Sequence, residues 1–264
     1  MVTECRVLTH LPLVHHKNIV SLQRILWTPD PSDTTQTTVC LVLEHAQFGT
    51  LAHLQRYGSI HPVEFPIKKK LCLDVAEGLL VLHSCGITHG DVKTENVLIF
   101  PHDKDKYVAK LSDFGCAVIN SPLGLGTEDT TARLVGYTPY FRAPEGGDAL
   151  PSNQLHLTDV YSFGLLVWRV LADGNEPFST FFDLPAEPAA RRAMIAQIQL
   201  LDYGLCAFVT ASIENFVEPY TLSSKDQNHL ISLFLHTLAL EPLARSLKVA
   251  AQELQESLDI VPTP

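Results

Sequence analysis

Apolar positions between residues 63 and 85 (Ile67, Leu71, Leu73, Val75, Ala76, Leu79, Leu80, Leu82) recur almost all round a helical wheel. A run of that kind predicts a helix buried on most sides. A second one, from about 158 to 172, predicts another buried helix with Phe163 and Trp168 in the core. Further helices are predicted near 189–202, 226–239 and 246–258. The pattern is different nearer the start. Residues 4–14 read as the end of a helix, HKNIVSLQRILW as a turn entering a strand, and VCLVLEH as a second strand. The polar stretch PDPSDTTQTT (29–38) turns between these two strands. NVLIF (96–100) and YVAKLSDF (107–114) enclose the polar turn PHDKDK and predict a small hairpin, whereas the Gly/Thr/Pro-rich residues 115–140 read as one long functional loop. No repeat of 20–50 residues is visible. A little sheet followed by a mainly helical body is an α+β arrangement.

Composition narrows the function. The chain has 264 residues, 46% of them hydrophobic and 18% charged. That suits a globular core needing no disulfide or metal and excludes a disordered, collagen-like or coiled-coil chain. Acidic residues outnumber basic ones 29 to 19, a net charge of −10. Nucleic acid is therefore not expected as a partner, because phosphate backbones need a basic footprint. Six scattered cysteines form no C-x-x-C pair, which argues against zinc and suits a reducing compartment. Cys40 and Cys72 lie in apolar runs, where a thiol packs as a small hydrophobe. The first twenty residues hold no apolar leader core, and FGLLVWRVLA, about half the length of a membrane span, carries Arg169. An intracellular chain, cytoplasmic or nuclear, with no membrane span is expected. The triplet Lys68-Lys69-Lys70 reads as a solvated helix face and His15-His16 as a turn.

The chemistry concentrates in HGDVKTENVLIF (89–100), where Asp91, Lys93 and Asn96 stand at D-x-K-x-x-N spacing just ahead of a short strand. Asp113-Phe114-Gly115 begins seventeen residues after Asn96, and Ala143-Pro144-Glu145 begins thirty residues after Asp113. Three such motifs, in this order and at these separations, resemble the eukaryotic protein kinase superfamily. The resemblance implies ATP and Mg²⁺ as cofactors and a protein substrate with a Ser/Thr acceptor, Lys93 pointing to the Ser/Thr type. It implies that Asp91 accepts or orients the hydroxyl proton, that Lys93 stabilises the transferring phosphate, and that Asn96 and Asp113 ligate the metal. LVLEHAQFGTL (41–51) resembles the hinge between lobes, with Leu43 as gatekeeper, Glu44 and Ala46 offering backbone groups to adenine, and Leu98 forming the adenine floor. The same resemblance places Thr138 near Asp91, makes Asp159 a support for the catalytic loop, and pairs Glu145 with Arg245.

A two-lobed fold follows from the resemblance, with residues 1–45 as a remnant of the small lobe (the end of the regulatory helix and two strands) and 46–264 as the large lobe. Glu4 is then the glutamate that pairs with a strand lysine. Yet only three residues precede Glu4, and the one G-x-G, Gly124-Leu125-Gly126, lies in the activation loop. The 264 residues are expected to be an N-terminally truncated kinase domain, with a non-catalytic pseudokinase that binds partners as the alternative. The strands near 19–27 and 39–44 would then show an unpaired edge and exposed apolar surface. Gly90 stands where the family usually has an arginine that receives a phosphorylated loop, so switching through Thr127, Thr130 or Thr131 by that contact is not expected. Tyr137 replaces a usual glycine.

Overall fold

The structure, a computed structural model, describes residues 1–29, 37–58, 63–120, 131–136, 138–175, 177–180, 182–201, 204–213 and 222–256. Most of the expected turn at 29–38, together with Gly124–Gly126, Thr127, Thr130 and Tyr137, lies outside the described residues.

The first stretch is two short helices, α1 (Val2–Leu8) and α2 (Leu11–Val14). Pro12 explains the break. It has no N–H to donate and fits only the first turn of a new helix, which it occupies in α2. Next, β1 (Leu22–Pro29) and β2 (Thr37–Leu43) pair antiparallel and form a sheet of two strands. The apolar surface expected there is present: Leu26 is 44% and Trp27 68% exposed. Helix α3 (Leu51–Gly58) follows, then α4 (Phe65–Ser84), the predicted all-round buried helix. Beyond it come β3 (Ile87–Thr88) and the predicted hairpin, β4 (Val97–His102) with β5 (Lys106–Leu111). The stretch expected to be one loop holds β6 (Val118–Ile119), which pairs with β3, and β7 (Thr131–Ala132), which pairs with β8 (Leu150–Pro151). Helices complete the chain: α5 (Leu157–Leu171), α6 (Pro188–Gln199), α7 (Gly204–Ser212), α8 (Ser224–Thr237) and α9 (Leu247–Glu256). Among the described residues no helix is long and apolar enough to cross a membrane.

The core gathers around α4 and α5, where Tyr161, Phe163 and Trp168 are fully buried. Residues 18–20 clip onto β5: Leu111 N donates to the Asn18 carbonyl at 2.9 Å, Val20 N to the Leu111 carbonyl at 2.9 Å, and Asn18 Nδ2 to the Ala109 carbonyl at 2.9 Å. Helix α4 approaches this clip so closely that a Cβ on Gly78 would lie 2.8 Å from the Asn18 carbonyl oxygen. Asp74 of α4 is buried and accepts from Ala109 N at 3.0 Å and Lys70 Nζ at 2.6 Å. Burial still pushes its carboxyl above the ordinary range.

Two sequence expectations fail here. Lys68 and Lys69 are buried rather than solvated. Lys68 reaches Asp173 just beyond α5 at 2.7 Å, and Lys69 reaches Asp226 on α8 at 2.9 Å. Their apolar stems cross the core margin while their heads find carboxylates on other elements. Cys40 is exposed rather than packed, because its face of the two-stranded sheet is uncovered; all six cysteines are free thiols. Lys69→Met is expected to lower unfolding stability by about 1–3 kcal/mol in urea titration, since Asp226 loses a buried charged donor. Unchanged stability would show that the Lys69–Asp226 pair staples nothing.

Candidate active site

The turn between β3 and β4 carries the site, and Asp159 at the start of α5 holds that turn from beneath. Asp159 is fully buried; it accepts from His89 N at 2.7 Å, Gly90 N at 2.9 Å and His83 Nε2 at 2.9 Å. Burial pushes its carboxyl up, but the His83 hydrogen bond and charge and the Gly90 N–H outweigh that and hold it below the ordinary range. His89 adds a second tie. Its Nδ1 accepts from Asp91 N at 3.3 Å, so Nε2 carries the proton and donates to the Ser112 carbonyl at 3.1 Å. One imidazole thus joins the turn to the residue preceding Asp113.

Gly90 is left-handed (φ +80), and a Cβ there would lie 2.6 Å from the Cys116 carbonyl oxygen. The position therefore requires glycine twice over, for its backbone angle and for space. Gly90→Ala is expected to cost about 1–3 kcal/mol and to lower the melting temperature by several degrees in calorimetry. An unshifted melt would show that the turn adapts freely.

Above this support Asp91, Lys93 and Thr138 form a closed triangle. Thr138 Oγ1 donates to Asp91 Oδ1 at 2.7 Å, while Lys93 Nζ donates to Asp91 Oδ2 at 2.5 Å and to Thr138 Oγ1 at 2.8 Å. Asn96 Nδ2 donates to the Asp91 carbonyl at 2.9 Å and to Asp91 Oδ2 at 3.1 Å. Burial raises the Asp91 carboxyl, yet the hydrogen bonds from Lys93 and Thr138 overcome it and keep the group ionised below the usual range. Asp113 has a left-handed backbone (φ 58) and an exposed side chain whose Oδ1 accepts a long bond, 3.4 Å, from Gly115 N. Ser112 binds the Asn96 carbonyl through both N (2.9 Å) and Oγ (3.0 Å), so Asn96 and the Asp113 segment are fixed to each other. The oxygens of Asn96 and Asp113 are hard donors that suit Mg²⁺.

The linker after β2 holds the other expected residues. Leu43 packs on the core, opposite Leu22. The Glu44 carboxylate is taken up by Lys110, at 2.7 and 2.9 Å, and by Ser21 N at 2.8 Å. Its own N–H goes to the Ser21 carbonyl at 3.0 Å. Among the described residues the Glu44 carbonyl and the Ala46 N–H make no hydrogen bond. Leu98, on β4, bridges to Thr50 at the end of this linker. Glu4 comes beside Asp113: burial raises its pKa and the Asp113 charge raises it further. Among the described residues it has no ion pair. The last expected support is present. Arg245 forms a two-point ion pair with Glu145, at 2.5 and 3.0 Å, and lies over the Tyr161 ring.

Sequence reasoning did not find His83 as a partner of Asp159, or the Arg169–Glu95 contact at 3.3 Å. Neither pair lies within a local motif. The only signal available was that each is a polar residue beside a strongly apolar run.

The family model for the protein kinase domain matches residues 1–246. Receptor-interacting serine/threonine-protein kinase 1 of Homo sapiens is 32% identical over 146 residues, covering 52% of this chain and 21% of that protein. A probable receptor-like serine/threonine-protein kinase of Arabidopsis thaliana is 34% identical over 169 residues, 62% of this chain and 35% of that protein. A serine/threonine-protein kinase of Saccharomyces cerevisiae is 32% identical over 180 residues, 62% of this chain and 30% of that protein. The chain thus spans between about a fifth and about a third of the length of these relatives. A match over nearly the whole chain, on an α+β fold that gathers all three motifs around one turn, establishes that this chain belongs to the protein kinase domain family.

Proposed function

We propose that this domain transfers the γ-phosphoryl group of ATP to a serine or threonine hydroxyl of a protein. In this reading residues 1–45 contribute to the small lobe and 46–264 to the large one. The observation that carries it is the closed triangle of Asp91, Lys93 and Thr138, which sets a carboxylate and an ammonium side by side next to a hydroxyl. Phosphoryl transfer asks a protein mainly for positioning and charge. The acceptor oxygen would bond to the γ-phosphorus as the bond to the β–γ bridging oxygen breaks, and ADP would leave with that electron pair. The acceptor proton passes to Asp91. A carboxylate held at low pKa is a weak base, so Asp91 chiefly orients the hydroxyl and takes the proton late. Lys93 offsets the negative charge on the moving group.

Asn96 and Asp113 would hold Mg²⁺, which supplies charge neutralisation for the phosphates. The Glu44 carbonyl and the Ala46 N–H would meet the adenine edge, with Leu43 as gatekeeper and Leu98 as the floor beneath the ring. The test is transfer of radiolabel from γ-labelled ATP to casein, with phosphoamino-acid analysis. Mg²⁺-dependent label on serine or threonine supports the reading. Absence of both label and Mg²⁺-dependent nucleotide binding overturns it.

A further inference from the structure

The buried carboxylate beneath the catalytic turn has three imidazoles around it. His83 on α4 donates Nε2–H to Asp159 Oδ2 at 2.9 Å, with the two side chains 10% and 2% exposed. His89, in the turn, gives its backbone N–H to the same oxygen at 2.7 Å and keeps a neutral ring, since its Nδ1 accepts from Asp91 N. His156 completes the group. It stands just before α5, three positions from Asp159, and meets the His83 ring in a T-shaped contact with centroids 5.1 Å apart. His156 is only half-buried, so a proton can reach it from water.

One carboxylate balances one imidazolium, and the hydrogen bond gives His83 the first claim on Asp159. A proton on His156 would set a second positive charge against the His83 ring. It would also stand at the N-terminus of α5, where the helix dipole disfavours a cation. Burial and the charge of His83 accordingly hold His156 below the ordinary imidazole range, against the opposing pull of Asp159 and of a hydrogen bond at the Asn153 backbone. These are the groups that bear on the ring from α4, from α5 and from the segment before α5. Asp91 and Asp159 are both held below the ordinary carboxylate range, so neither takes up a proton in the range where an imidazole does.

We propose that His156 is a positioning residue that makes the support of the catalytic turn sensitive to acid: a proton on its ring draws Asp159 away from the His89 and Gly90 N–H groups and loosens the turn that carries Asp91. Without that proton, Asp159 serves the turn alone. The proposal rests on the phosphoryl-transfer reading only for its effect on transfer, and the response of the turn is independent of it. His156 takes a proton more readily in the unfolded chain, where its pKa has the ordinary value of about 6.5. Stability therefore falls as pH drops through that value, and the loss is complete once pH lies below the lower folded value.

The experiment follows amide hydrogen exchange by mass spectrometry, corrected for the intrinsic rate, in the peptide that contains His89 and Gly90. Between about pH 7.5 and about pH 5.5, a range that spans imidazole titration, the native chain is expected to lose about tenfold of its protection there, the factor for weakening one hydrogen bond. His156→Gln keeps an N–H for the Asn153 backbone but takes no proton, and is expected to hold its protection across the same range. His156→Lys, charged at both ends of it, is expected to show the weakened turn throughout. Urea titrations should show the His156→Gln chain gaining stability relative to the native one on acidification. Constant protection in the native chain overturns the proposal, as does an equal loss in the native and His156→Gln chains. Label transfer is compared as the ratio of His156→Gln to native, which cancels the titration of ATP itself, and that ratio should rise on acidification by a similar factor. A constant ratio in chains that do transfer overturns the positioning role. No transfer from either chain at any pH removes the phosphoryl-transfer reading alone, because exchange reports on the turn and not on the chemistry.

Discussion

Asp91→Asn is expected to lower the proposed phosphoryl transfer about 10³-fold while leaving nucleotide affinity unchanged, within the range for loss of one proton-transfer group. The amide has nearly the shape of the carboxylate, so Thr138 Oγ1 can still donate to its oxygen and the turn keeps its place. It cannot accept the acceptor proton, and Lys93 loses the charge that now fixes its ammonium at 2.5 Å. Both losses fall on the transfer step. Asp113→Asn provides the contrast: on the proposed reading Asp113 would hold Mg²⁺, so Mg²⁺-dependent nucleotide binding should fall along with transfer. Titration with a fluorescent ATP analogue, run beside the label-transfer assay, separates the two. If both variants changed binding equally, the division of roles between Asp91 and Asp113 would be wrong.

What could be read from the sequence differs sharply between elements. Helices α4 and α5 were legible because long apolar runs can be buried only by a long helix. The β4–β5 hairpin was legible because a polar turn separates two apolar bursts. Strands β3, β6, β7 and β8 are two residues each, too short to carry an alternation, and their partners lie far along the chain. Helices α3 and α7 also escaped; at 8 and 9 residues they show little more than two turns of pattern. In the site, Asp91, Lys93, Asn96 and Asp113 stood out because their motifs resemble those of the protein kinase superfamily in order and separation; the structure sets the first three on one turn and ties the segment of Asp113 to Asn96 through Ser112. Periodicity reports that a position is buried but not what it touches. Lys68 and Lys69 therefore read as solvated, and the carboxylates that bury them, Asp173 and Asp226, are more than 100 residues away.

Asp159→Ala is expected to destabilise the fold by about 3–5 kcal/mol, because two buried N–H donors and an imidazole lose their acceptor together and each orphaned donor costs about 1–3 kcal/mol. The donors are His89 N, Gly90 N and His83 Nε2. For a domain of this size that corresponds to a fall in melting temperature of about 10 °C. Activity should fall further than stability predicts, since the left-handed turn at Gly90 is held by this carboxylate and Asp91 follows it directly. Asp159→Asn should be intermediate: its one remaining oxygen can take one N–H while its amide faces the other. The pH dependence has a definite sign. The folded pKa of Asp159 is depressed, so its contribution is complete above the ordinary carboxylate pKa of about 3.9 and is lost as pH falls through the lower folded value. The stability gap between the native chain and Asp159→Ala should therefore close progressively below pH 4. Urea titrations across that range measure the gap. A gap that failed to close below pH 4 would mean that the turn beneath Asp91 is held by something other than this carboxylate.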